Sequence, residues 1–180
     1  MRALTSVVLV LLISLAAFGA RAQGVDVLTL AAARGEQGLE LDYALRFTMP
    51  PAVEDALRRG IPLHFVARAT VLRPRWYWRD ERVARASRSW RLSYQPLTSA
   101  WRISQGGLSQ SYDTLTEALL AMSRVGRWRI ADASRIEADE HYYIEFSWSL
   151  DTTQLPRPMQ IGIGGQAEWA LGVERTLALE

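Results

Sequence analysis

The chain has 180 residues, 49% of them hydrophobic, with 21 basic against 19 acidic residues and no cysteine. This composition excludes a disordered chain, whose apolar content is far lower, and a multi-domain enzyme, since one domain commonly takes about 100–200 residues. It also excludes disulfide frameworks and cysteine-ligated metal sites.

At the amino terminus Arg2 precedes the apolar run Val7–Ile13 and the segment Leu15–Phe18, followed by Ala20, Arg21 and Ala22. A short positive region, an apolar stretch and small residues at 20 and 22 form the pattern of a secretory signal peptide cut after Ala22. Residues 1–22 are therefore expected to be removed, leaving 23–180 as a single exported domain in the periplasm. The alternative is an uncleaved inner-membrane anchor, against which stand Ser14 and Gly19 in the run and the lack of a positive stop-transfer cluster. Loss of Arg2 and Arg21 leaves 19 arginines facing 19 acids, so the mature domain is neutral overall. A domain of this size buries roughly 70% of its unfolded surface and folds without a disulfide.

Strands are expected at 25–33 and 39–47. A helix follows over Pro51–Arg59: the prolines suit its opening turn, Glu54 and Asp55 lie near its positive end, Arg58 and Arg59 near its negative end, and Gly60 stops it. Beyond it Ile61, Leu63, Phe65, Ala67, Ala69 and Val71 share one face of a strand, with His64, Arg68 and Thr70 on the other. Trp90, Leu92 and Tyr94 alternate in the same way, and further strands are expected at 100–104 and 108–112. Thr114–Glu117 has the pattern of a capping box, opening a helix with the apolar stripe Leu115, Ala118, Leu119 and Met122 that stops at Gly126. Strands at 128–131, at 142–150 with Tyr142, Ile144, Phe146, Trp148 and Leu150 on one face, and at 169–179 complete the chain. Short alternating strands, turn signals and two short helices specify a mainly β protein: an antiparallel β-sandwich, immunoglobulin-like or related.

Arg68–Arg91 holds eight arginines against only Asp80 and Glu81, interleaved with Trp76, Tyr77, Trp78 and Trp90. Nucleic-acid grooves use the same mixture, but an exported protein rarely meets nucleic acid; anionic lipid or another envelope polyanion is a minor alternative. A strand through Trp76, Tyr77 and Trp78 turns at least one large aromatic outward. Arg75, Trp76, Tyr77, Trp78 and Arg79 are therefore the candidate interaction surface, because Trp, Tyr and Arg dominate protein–protein hot spots. The competing reading packs both faces of this strand into the core.

Catalytic motifs fail on physical grounds. Gly162, Gly164 and Ala167 match the letters of a dinucleotide loop, yet too little chain follows for the helix and distal acid it needs. His64 and His141 are the only imidazoles and no Gly-x-Ser-x-Gly elbow is present. Glu54 with Asp55, Asp80 with Glu81, and Glu137 with Asp139 and Glu140 are carboxylate clusters at helix starts and turns, where exposed acids are expected. No catalytic residue, metal ligand or cofactor is assigned, and the protein is read as a non-enzyme.

Gly60-Ile61-Pro62-Leu63, Arg75-Trp76-Tyr77-Trp78, Leu92-Ser93-Tyr94 with Leu97-Thr98, Thr114-Leu115-Thr116-Glu117-Ala118-Leu119 and Leu155-Pro156-Arg157-Pro158-Met159-Gln160 occur in an order that resembles the proteobacterial domain-of-unknown-function 4390 family. The resemblance runs over nearly the whole mature chain and implies an exported envelope protein. Members of that family are often encoded beside a nitrogen-regulation-type membrane sensor kinase and its response regulator, which implies an accessory role in signalling. The expected function is a periplasmic protein-interaction module whose partner is an envelope protein such as a sensor histidine kinase. The alternative is a sandwich that binds a small ligand or lipid in a cleft between its sheets or beneath the second helix.

Overall fold

Tyr142, Ile144, Phe146, Trp148 and Leu150 are all buried, while the residues between them are more exposed, and the same alternation runs from Leu63 to Val71. Period-two burial of this kind makes each strand half core and half surface. The computed structural model describes residues 24–179 apart from 78, 138, 164 and 165. The expected signal peptide and Trp78 therefore lie outside the described residues.

The described elements are β1 (Val25–Gly35), β2 (Gly38–Phe47), α1 (Pro51–Arg58), β3 (Leu63–Arg73), β4 (Glu81–Gln95), β5 (Ala100–Gln105), β6 (Leu108–Tyr112), α2 (Leu115–Ser123), β7 (Arg124–Asp132), β8 (Tyr142–Leu150), α3 (Arg157–Gly162) and β9 (Gly172–Leu179). The strands form two antiparallel sheets, one in the order β1-β2-β7 and one in the order β6-β5-β4-β3-β8-β9. The chain is thus the expected antiparallel sandwich. β1 lies alongside β9 and β7 alongside β4, so the small sheet covers the β4-β3-β8-β9 portion of the large one, with β5 and β6 extending beyond it. The β4–β7 seam is bridged by side chains: the Arg88 guanidinium sits 5.5 Å from the Trp128 ring centre, and Arg135 Nη1 donates to the Val83 carbonyl at 3.3 Å.

Aromatic side chains join the two layers. Within the large sheet Phe65 of β3 stacks on Trp148 of β8 with centroids 5.1 Å apart, and across the layers Phe47 of β2 packs on Trp148 at 4.6 Å and Tyr43 of β2 meets Phe146 at 4.9 Å. Phe65 and Trp148 are fully buried, and each such ring contributes about 1.5–3 kcal/mol of burial or more. The sandwich is therefore zipped through its centre, leaving its two ends to carry loops and helices.

The structure departs from the expected elements in four places. α2 ends at Ser123 instead of reaching Gly126, because Arg124 already pairs with Ala44. Prolines near 156 open a third helix rather than only breaking structure, since Pro156 is the N-cap of α3 and Pro158 stands in its first turn, where no amide donor is missed. Trp169 belongs to a one-turn helix before β9 and is buried there. Trp76 and Tyr77 lie in a turn and not in a strand, because Pro74 ends the β3 run and β4 begins only at Glu81. Among the described residues no helix is long and apolar enough to cross a membrane.

Candidate functional site

β3 and β4 pair from Leu63↔Leu92 to Arg73↔Glu81 and form a long hairpin. The strand-end pair Arg73–Glu81 carries opposite charges, and Arg73 Nε donates to Glu81 Oε2 at 3.0 Å. Arg75 donates a second guanidinium bond to the same carboxylate oxygen. Across the turn the Arg75 backbone N–H donates to Asp80 Oδ1 at 3.2 Å, and the Tyr143 hydroxyl of β8 donates to Asp80 Oδ2. Arg73 Nη1 also donates to Glu137 Oε1 at 3.2 Å, tying the hairpin to the β7–β8 connection. That connection is held in turn by Arg34, which donates to the carbonyls of Glu137 and Glu140.

The electrostatics follow from these contacts. The Arg73 and then the Arg75 guanidinium hold the Glu81 carboxyl below its ordinary range. The Tyr143 hydroxyl, then the Arg75 amide, do the same for Asp80, while its bond to Asp80 pushes Tyr143 up to about 12. Both carboxylates are stabilised as anions, the opposite of what a general acid requires.

On this base stands the tip. Trp76 is 95% exposed and Tyr77 64% exposed, with ring centroids 5.1 Å apart at 71°, an edge-to-face pair. Arg75 is consumed by the base, whereas Arg79 is exposed beside the aromatics. The structure thus brings together Arg75, Trp76, Tyr77 and Arg79 of the expected surface. The reading that packs both faces of this segment into the core fails for Trp76 and Tyr77.

Other candidates are dispersed. His64 pairs with Arg91 at the start of β3, whereas His141 precedes β8 at the end where Tyr143 pairs with Leu72, so the two imidazoles sit at opposite ends of the sheet. Burial, then the Arg91 charge, lowers the His64 pKa. Glu54 is engaged by Arg58 at 2.7 Å, an ion pair one helical turn apart. A groove of 590 Å³ does lie beside the second helix, at the far end of the sandwich from the hairpin tip.

Sequence reasoning singled out the tip and missed its brace. Opposite charges at 73, 75, 80 and 81 were a local signal for a clamped turn. Tyr143 and Glu137 carry no such signal, because only the β3–β8 register brings them to the turn.

The family model described as Domain of unknown function (DUF4390) matches residues 22–178, and the chain belongs to that family. No curated protein and no solved structure matches the chain.

Proposed function

We propose that this member of the DUF4390 family is a non-catalytic envelope protein, exported to the periplasm, that docks onto a protein partner through its β3–β4 tip. The observation that carries this reading is the 95% exposure of Trp76 on a braced turn. A fold that buries Trp148, Trp128 and Trp90 has the means to bury Trp76 as well, and a large aromatic left in water is the commonest kind of hot-spot anchor. The clamp around Asp80 and Glu81 orders the tip before any partner arrives, which lowers the ordering cost of association. Tyr77 widens the apolar contact and Arg79 supplies a rim charge, so the matching partner surface is an apolar pocket edged by carboxylates. The periplasmic region of a membrane sensor histidine kinase is the partner class favoured by the family's usual gene setting. No nucleic acid and no cofactor enter this reading.

A photoreactive residue in place of Tyr77, in living cells, followed by capture through a carboxyl-terminal tag and mass spectrometry, tests it. The expected product is a covalent adduct with the kinase's periplasmic region that disappears in Trp76→Ala. Mature protein recovered from the periplasm without an adduct overturns the docking role.

A further inference from the structure

α2 is apolar on two sides. Ala118 and Met122 face the core and are fully buried, Leu115 and Leu119 are half-buried against its edge, and these two lie with Leu120 along the groove beside it. The apolar stripe therefore runs past the edge of the core to Leu120, a position where a helix that only covered the core would carry a polar residue. Leu120 is 53% exposed. Opposite it stands Leu28 of β1, 47% exposed, at the point where the β1–β2 register slips between Val27 and Thr29. An extra residue in an antiparallel pair bends the strand and re-aims a side chain, so the bulge turns a leucine of an otherwise alternating strand toward the groove. Phe47 and Met49, at the exit of β2, form the floor.

The charges at the groove are unequal. Glu54 is neutralised by Arg58, and Arg46 shares a 3.7 Å ion pair with Asp26. Arg124, the first residue of β7, makes no ion pair or side-chain hydrogen bond among the described residues. The groove is thus an apolar trough with one uncompensated cation, and its 590 Å³ falls within the range of about 300–1,000 Å³ typical of small-molecule sites.

From this geometry we propose that the groove binds a fatty acid of about laurate's length, its alkyl chain lying between α2 and β1 and its carboxylate on Arg124. This site is separate from the hairpin tip and does not rest on the docking role.

The purified mature protein is titrated with a fluorescent fatty acid, and laurate and dodecanol are used as competitors. Laurate displaces the probe from the wild type. Arg124→Gln weakens laurate about tenfold, the cost of one charge-assisted hydrogen bond, and leaves dodecanol unchanged. Leu120→Glu, an exposed position whose substitution spares the core, abolishes both. Trp76→Ala leaves all three measurements as in the wild type, so a failure of the docking role is distinguishable from a failure of this site. Absence of displacement by laurate, or equal affinity in Arg124→Gln and Leu120→Glu, overturns the proposal. So does a dimer in light scattering that Leu120→Glu converts to monomer, because the occupant of the groove is then a second copy of this chain.

Discussion

The Tyr143 hydroxyl donates to Asp80 across 2.5 Å, tying an inner strand of the large sheet to the turn that presents Trp76. The two residues are 63 positions apart in sequence, and it is the β3–β8 pairing that brings them within reach. Because the same turn is clamped by Arg73 and Arg75 on Glu81, its order depends on the ionisation of these groups.

That dependence has a defined sign. Asp80 and Glu81 have folded pKa values below their ordinary 3.8 and 4.5, so their contribution is full above those values and is lost as pH falls through the lowered ones. Tyr143 is raised from 10.0 to about 12, so its contribution is full below 10 and is lost as pH rises through about 12. Amide exchange at Arg75, whose N–H donates to Asp80, corrected for its intrinsic rate, is expected to be slowest on a plateau between about pH 5 and 10 and to accelerate on both sides. Tyr143→Phe should remove the alkaline limb and keep the acid limb, which depends on Asp80 and Glu81. Protection that stays flat down to pH 3 in the wild type would show that the turn is ordered without the clamp.

Trp76 and Trp148 are expected to behave as opposites. Trp76→Ala removes a ring that is almost wholly in water and should change stability by less than about 0.5 kcal/mol while abolishing partner cross-linking. Trp148→Ala takes out the fully buried ring between Phe47 and Phe65 and should cost about 3–5 kcal/mol, enough to unfold many domains of this size. Urea melts of the two variants check this, and comparable losses in both would place Trp76 in the core.

The contrast marks where sequence is legible. β3 and β8 could be read residue by residue because period-two alternation is a local consequence of half-burial, and the Thr114–Glu117 capping box formed as its letters imply. Trp76 was harder, since a run of three aromatics reads as strand until Pro74 and the Asp80 clamp are seen to hold it as a turn. Leu28 and α3 were not legible. A bulge shows itself only against a partner strand, and Pro156-Arg157-Pro158 carries the letters of a breaker whether or not a helix follows. The groove beside α2 shares the first of these difficulties, being lined by the bulged Leu28.

Tyr43 carries a buried, unpaired polar group. Its ring packs against Phe146 and Trp128, and among the described residues nothing accepts or donates a hydrogen bond to its hydroxyl. Burial pushes its pKa well up, only partly offset by the Arg88 charge. Tyr43→Phe removes the unpaired group, keeps the ring and should stabilise the protein by about 1 kcal/mol. A lower melting temperature in that variant would mean that the hydroxyl is bonded to an internal water.

Gly38 tests the register of the small sheet. It opens β2 at φ 134°, facing Asp132 of β7, and a Cβ there would lie 2.0 Å from the Ala131 carbonyl oxygen and 2.8 Å from the Ala133 nitrogen. Both neighbours are backbone, so the clash is relieved only by parting β2 from the end of β7 or by breaking the Ala133 N–H bond to the Gln37 carbonyl at 3.3 Å. Gly107, in the β5–β6 turn, also has positive φ, at 87°, but a Cβ there would meet nothing within 4 Å. Gly107→Ala should therefore cost only the left-handed backbone term, about 1–2 kcal/mol, whereas Gly38→Ala adds overpacking of a further 1–3 kcal/mol. Chemical denaturation of the two variants side by side measures the difference. Equal losses would show that β7 yields at Ala131, and with it that the close approach of β2 and β7 does not set the register on which Tyr43 and Trp128 depend to meet.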